Sequence, residues 1–119
     1  MRDHSELTLR KQSDFARIYK QGKSRGSRFA VILYRRNGLK FTRTAFVASK
    51  KVGNSVERNR SRRLMRAAYK AMEPNIKKGY DIIFVARASI TGSKEPEVEK
   101  QLKKALEGAG ILTGSSNEK

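Results

Sequence analysis

Apolar positions along the chain recur at two periods, one helical and one alternating or continuous. Within Lys11–Lys20, Phe15, Ile18 and Tyr19 stand at i, i+3 and i+4, which places them on one face of a helix. Ser13 is the candidate cap of that helix, and Asp14 falls in its first turn. Gly22–Ser27 reads as a polar connector. Phe29–Arg35, FAVILYR, is rich in β-branched and aromatic residues and predicts a strand. Thr44–Ser49, TAFVAS, predicts another, and the Asn37-Gly38 turn signal between them suggests antiparallel neighbours. From Ser55 the period becomes helical again. Leu64, Met65, Ala67, Ala68, Ala71 and Met72 share one side, with Tyr69 at its border. Asn54 is the expected N-cap, Glu57 completes a capping box, and Glu73-Pro74 ends the helix. Tyr80–Arg87, YDIIFVAR, is the most hydrophobic run and reads as a central strand. Strand, helix and strand from Thr44 to Arg87 imply a parallel crossover, right-handed by the general rule. Val98, Leu102, Ala105, Leu106 and Ala109 form the stripe of a last helix. Glu95, Glu97 and Glu99 gather at its start, where the helix dipole favours acids. Leu7–Leu9 is expected as an ordered lead-in and Ile111–Lys119 as a frayed tail.

This pattern fits one domain over residues 1–119, with its core at about 7–112 and a flexible tail at 113–119. Charge changes the picture. The chain has 28 Lys and Arg against 11 Asp and Glu, a net charge of +17, so it must seek anions. No apolar run approaches a membrane span. Met1–Gln12 carries Asp3 and Glu6 and no apolar segment, unlike a signal or transit peptide. With no Cys, the chain has neither disulfides nor thiolate metal sites, and a cytoplasmic location is expected.

The charge is concentrated. Lys50–Arg66, KKVGNSVERNRSRRLMR, holds seven Lys or Arg in seventeen residues, opposed only by Glu57. Turned at about 100° per residue, Arg58, Asn59, Arg62, Arg63, Arg66 and Lys70 share the side opposite the apolar stripe. Arginine forks match phosphate oxygens, so this face suits a nucleic-acid backbone better than a solvated surface. Arg60 points nearer the apolar side. Phe15 and Tyr19 admit two readings, a buried core stripe or a stacking platform for bases. Catalytic chemistry is not visible. His4 is the lone histidine, Asp14 and Asp81 read as isolated carboxylates, and no acids converge as a two-metal nuclease requires.

The run K-K-x-G-N-x-V-x-R-N-R-x-[KR]-R-x-x-R, here Lys50–Arg66, resembles the signature of the bacterial ribonuclease P protein subunit. SDFARIYKQG, Ser13–Gly22, is similar to the family's amino-terminal helix, and DIIFVAR, Asp81–Arg87, to its late strand. The resemblance covers roughly Leu7–Leu112. It implies a single α+β domain with a four-stranded mixed sheet, helices packed on it and a left-handed βαβ crossover, against the general rule. It implies a protein that binds a large catalytic RNA and the 5′ leader of precursor tRNA, assisting endonucleolytic removal of the leader. Catalysis and Mg²⁺ then belong to the RNA and substrate, and the protein has no active site or metal ligands of its own. Carried onto this sequence, Lys50, Lys51, Asn54, Arg58, Asn59, Arg60, Arg62, Arg63 and Arg66 would face the catalytic RNA. Phe15 and Tyr19 would line the cleft for the single-stranded leader. A third aromatic of that cleft falls on Leu33 in a gapless alignment and on Tyr34 after a one-residue shift; Tyr34 is the candidate carried forward.

Two other readings fit a small basic α+β chain. A ribosomal-type RNA-binding protein would have no processing role. A DNA-binding protein would lay the Arg-rich helix in a major groove and would discriminate between duplex sequences.

Overall fold

A computed structural model describes residues 8, 9 and 11–113. His4, Leu7 and residues 114–119, on which expectations were placed, lie outside the described residues. The elements in order are α1 (Gln12–Gln21), β1 (Lys23–Gly26), β2 (Ala30–Arg36), β3 (Arg43–Val47), α2 (Ser55–Met72), β4 (Tyr80–Ala86) and α3 (Glu95–Ala109). Short 3-10 turns follow α2 at Glu73–Asn75 and β4 at Ala88–Ile90.

The four strands form one sheet in the order β1-β2-β4-β3. β1 and β2 are antiparallel, β2 and β4 are antiparallel, and β3 and β4 are parallel. This order corrects the expectation that the second and third strands are neighbours: β4 lies between them. As the most apolar strand, β4 gains most from having both edges paired, and the long loop after β2 lets β3 cross to its far side. Asn37-Gly38 does turn the chain, but the turn opens a crossover rather than a hairpin. Asn37 Oδ1 accepts from the Leu39 N–H at 2.7 Å, and Gly38 has a φ of 75°. β1 was hidden in the sequence because KSRG has no apolar residue and all four positions are exposed.

Alternation along the strands divides the core in two. On one face, Ala30, Ile32, Ile82, Phe84 and Ala86 pack against α2 and α3, with Met65, Ala68, Tyr69, Met72, Val98, Leu102 and Leu106. Phe46 and Phe84 stack at 5.0 Å, and the Tyr69 ring meets both edge-on. On the other face, Ala45 and Ile83 meet Leu9 and Ile18, with Phe15, Leu33, Val47 and Val85 beside them. α1 alone among the helices packs there.

Leu9 is ordered as the lead-in expectation has it, while Ile111 and Leu112 are more ordered than the pattern suggested. Leu9 is buried, and its N–H donates to the Thr44 carbonyl, extending the sheet beyond β3. Ile111 and Leu112 were assigned to a frayed tail. They are buried instead, and Leu112 bridges Ile76. The left-handed Gly110 turns the chain back under α3, which returns these two apolar residues to the core.

Candidate nucleic-acid interface

α2 begins at a well-built N-terminus. Asn54 Oδ1 accepts from the Glu57 N–H at 3.0 Å, as its N-cap role requires. Gly53, at a φ of 142°, lies in a region that L-residues rarely adopt. A Cβ there would also come within 3.0 Å of Glu57 Cβ, so the G-N step lets Glu57 fold back over the turn. Lys50 and Lys51 are exposed on that turn, while Val52 anchors it in the core.

The buried stripe of α2 is Ser61, Met65, Ala68, Tyr69 and Met72. It is rotated from the expected one. Tyr69 lies inside rather than at the border, Leu64 and Ala67 are half-buried, and Ala71 is exposed. The pull comes from the Phe46–Phe84 pair, which offers Tyr69 an aromatic contact that alanine cannot match. Burial, with Glu73 nearby, raises the Tyr69 phenol well above its ordinary value, so it stays neutral. Ser61 is tolerated inside because its hydroxyl donates to the Glu57 carbonyl at 2.9 Å.

The rotation sorts the arginines. Asn59, Arg63, Arg66 and Lys70 are exposed, and Arg58 and Arg62 are half-buried. Arg58, Arg62, Arg66 and Lys70 follow one another at i+4 and form a line along the helix. Their forks are oriented by neutral partners. Arg58 Nη2 donates to Ser55 Oγ at 3.3 Å, Arg62 Nη2 to Asn59 Oδ1 at 2.6 Å, and the Arg66 guanidinium lies 5.2 Å over the Phe46 ring. Among the described residues, the ion pairs all converge on Asp14 or Asp81, away from this helix. The line therefore keeps its full positive charge. Arg60 differs: its Nη2 donates to the Ser93 carbonyl and ties α2 to the loop before α3. Of the arginines assigned to a nucleic acid, it alone has its fork turned into the fold. Asn54 is likewise occupied through its oxygen, leaving only its amide N–H donors for a partner.

α1 presents the second surface. Its first residue is Gln12, and Lys11 precedes it with no side-chain cap, so Ser13 lies inside the first turn rather than capping it. Asp14 and Ile18 are its buried residues. Phe15 is half-buried against the smaller core, and Tyr19 is 55% exposed. The two readings of this stripe thus separate by residue. Ile18 is core, Tyr19 is an exposed ring, and Phe15 lies between the two in burial. At the other end of the helix, Gly22 approaches β2 closely: a Cβ there would lie 2.9 Å from the Tyr34 carbonyl oxygen.

Tyr34 does not join these rings. It opposes Ile82 in register and packs with the larger core, on the sheet face away from α1. Leu33, one residue earlier, opposes Ile83 and lies on the α1 face. The placement corrects the choice of Tyr34 for the cleft, since a one-residue step along a strand exchanges faces. The floor beside α1 is aliphatic instead. Val31, Val85 and Val47 stand abreast on three strands, with Leu33, Ile83 and Ala45 as the next row.

Asp14 and Asp81 are not isolated. Arg43 Nε and Nη2 donate to both oxygens of Asp81 at 2.9 and 2.8 Å, and Arg43 Nη1 lies 3.5 Å from Asp14 Oδ2. Asn37 Nδ2 adds a bond to Asp81 at 2.9 Å. Donating these hydrogen bonds to Asp81 raises the Arg43 pKa above its ordinary value, against the opposing effect of burial. Arg43 was overlooked in the sequence. Only the strand order, which sets Arg43 and Arg35 on either side of Asp81, reveals it. Among the described residues, no three His, Cys, Asp or Glu come together as a metal site would need.

The ribonuclease P family model matches residues 4–110, nearly the whole chain. The chain belongs to the ribonuclease P protein family. The ribonuclease P protein component of Caldanaerobacter subterraneus subsp. tengcongensis is 40% identical over 100 residues, covering 81% of this chain and 86% of the relative. That of Alkaliphilus oremlandii is 37% identical over 107 residues, covering 90% and 94%. Among solved structures, a Staphylococcus aureus RNase P protein mutant with defective mRNA degradation activity superposes with a TM-score of 0.85. It is 30% identical and covers 92% of each chain. The RNase P protein from Thermotoga maritima superposes with a TM-score of 0.78, also 30% identical, covering 85% of this chain and 96% of its own. The α+β architecture is thus that of ribonuclease P proteins.

Proposed function

We propose that this chain is the protein subunit of a ribonuclease P ribonucleoprotein that removes the 5′ leader of precursor tRNA. The line of Arg58, Arg62 and Arg66, with Arg63, Asn59 and the Lys50–Lys51 turn, binds phosphates of the catalytic RNA. The side of the sheet next to α1, with Phe15, Tyr19 and the aliphatic rows of β2, β3 and β4, receives the single-stranded leader. The observation that carries this reading is the exposure of Tyr19 on a helix whose neighbouring Ile18 is 1% exposed. A ring left in water beside an open apolar floor, on a strongly cationic protein, is suited to stacking on unpaired bases.

Hydrolysis and its Mg²⁺ are assigned to the RNA and substrate. The protein's part is to hold the leader and to neutralise phosphates, which raises the affinity for substrate that still carries a leader. Among the described residues no helix is long and apolar enough to cross a membrane, and a cytoplasmic site of action is part of the same proposal.

The test is incubation of precursor tRNA and Mg²⁺ with rigorously RNA-free protein, with the catalytic RNA, and with both. Cleavage at the leader junction is expected only where the RNA is present, and the protein should tighten binding of precursor but not of mature tRNA. Site-specific cleavage by the protein alone, or equal tightening of both tRNAs, overturns the proposal.

A further inference from the structure

α1 carries the aromatic row but is poorly equipped to hold its own position. It has ten residues, a length at which isolated helices are marginal, and Lys11 gives it no side-chain cap. Ile18 is its one fully buried aliphatic side chain. The other buried residue is Asp14, 8% exposed, a polar side chain that needs a partner there. Arg43 supplies it. Asp81, itself held by Asn37, grips two of the three guanidinium nitrogens and leaves Nη1 directed at Asp14. Arg17 reaches Asp14 Oδ1 at 3.4 Å from the solvent side. The pin thus runs from the sheet, through one planar fork, to the first turn of the helix.

Its position on the helix decides what it can control. Asp14 and Ile18 are four apart and form the row facing the sheet. Phe15 and Tyr19 form the next row, turned by roughly 100°. Ile18 alone would let the helix roll, because an apolar contact has no preferred direction. An ion pair at one end and a buried aliphatic at the other fix the roll, and with it the direction of the rings.

We propose that Arg43 is a positioning residue for leader binding: held by Asp81, it fixes the roll of α1 through Asp14 and so aims Phe15 and Tyr19 at the open face of the sheet. The inference rests on the leader-cleft reading above. Arg43 itself touches no substrate in this scheme.

The experiment measures binding of precursor and of mature tRNA to the complex of full-length protein and catalytic RNA, for wild type, Asp14→Asn, Tyr19→Ala and the double variant. Arg43→Lys serves as a second probe, since an ammonium cannot serve both carboxylates with the geometry of a fork. Asp14→Asn should lower the precursor-to-mature affinity ratio by about five-fold or more, the range of a lost base stack. Affinity of the protein for the catalytic RNA should not move. The double variant should be no worse than Tyr19→Ala alone, because both changes remove the same stack. Arg43→Lys should reproduce the loss. If Asp14→Asn and Arg43→Lys keep the wild-type ratio, or if losses in the double variant add, Arg43 does not act through the rings. If Asp14→Asn fails to fold, Arg43→Lys decides by the same criteria. If Tyr19→Ala keeps the wild-type ratio, the cleft reading itself is what has failed, and the proposal falls with it.

Discussion

The two helices that carry the proposed contacts are built in opposite ways. α2 has eighteen residues, a side-chain cap, five buried positions and a further tie from Arg60 to the loop before α3. α1 has ten residues, no side-chain cap, and beneath it one fully buried aliphatic, the half-buried Phe15 and a single ion pair to the sheet. Under the proposed function, the difference follows from what each would recognise. Phosphate charge is felt from many directions, so a rigid rod with a line of exposed cations suffices. A base stack works only when ring planes are parallel and near, so the rings must be aimed by something directional. Rigidity in α2 comes from apolar area; direction in α1 comes from a planar fork.

The sharpest way to break this contrast is to cut the core under each helix. Met65→Ala should cost about 2–5 kcal/mol of global stability through a cavity under α2. Ile18→Ala should lose stability in the same range but also lower leader-dependent affinity, since α1 has little else beneath it. Thermal melts beside precursor and mature tRNA titrations separate the two; equal behaviour of the two variants removes the distinction. Next in size, Tyr19→Ala should weaken precursor binding by about 1–3 kcal/mol with mature tRNA unaffected and circular dichroism unchanged. Unfolding by this substitution would mean that the exposed ring is structural after all. Asn54→Ala should cost about 0.5–2 kcal/mol by leaving the Glu57 N–H without its cap, read as a shift in urea midpoint at unchanged slope. The smallest effect sharpens the α2 side. Arg63→Ala should leave stability near wild type, weaken assembly with the catalytic RNA, and make the slope of log affinity against log salt shallower by about one. Filter binding at several salt concentrations measures it, and an unchanged slope together with lost stability would make this a structural face.

Much of α2 was legible in the chain because its signals are local. The cap at Asn54 and the stop at Glu73-Pro74 are each set by residues within a turn of one another, although the capping box expected with Glu57 forms only its Asn54 half. The long central strand was equally plain, since Tyr80–Ala86 is apolar on both faces. What stayed hidden depends on distant neighbours. Nothing near Thr44 says that β4 lies between it and β2. Without that order, Asp81 looks solitary and Arg43 looks like one more surface cation. Tyr34 and Leu33 differ by one step in register, and only the pairing with Ile82 and Ile83 shows which of them faces α1. Tyr69 was drawn inward by Phe46 and Phe84, rings from two strands on either side of it in sequence. Ile111 and Leu112 read as tail because two apolar residues carry no period.

The edges of the sheet bear on how such a chain survives before it meets its RNA. A row of unpaired strand N–H and C=O groups invites a second copy to add on, the first step toward an aggregate. At β3 that invitation is reduced at Thr44, whose carbonyl already accepts from the Leu9 N–H. β1 is open along its whole length, but it is four residues long and presents Lys23 and Arg25 to any arriving strand. A second β1 laid alongside would bring cations against cations. The weakest strand in the fold, unreadable from its pattern, is thereby an edge whose charge opposes pairing with its own copy.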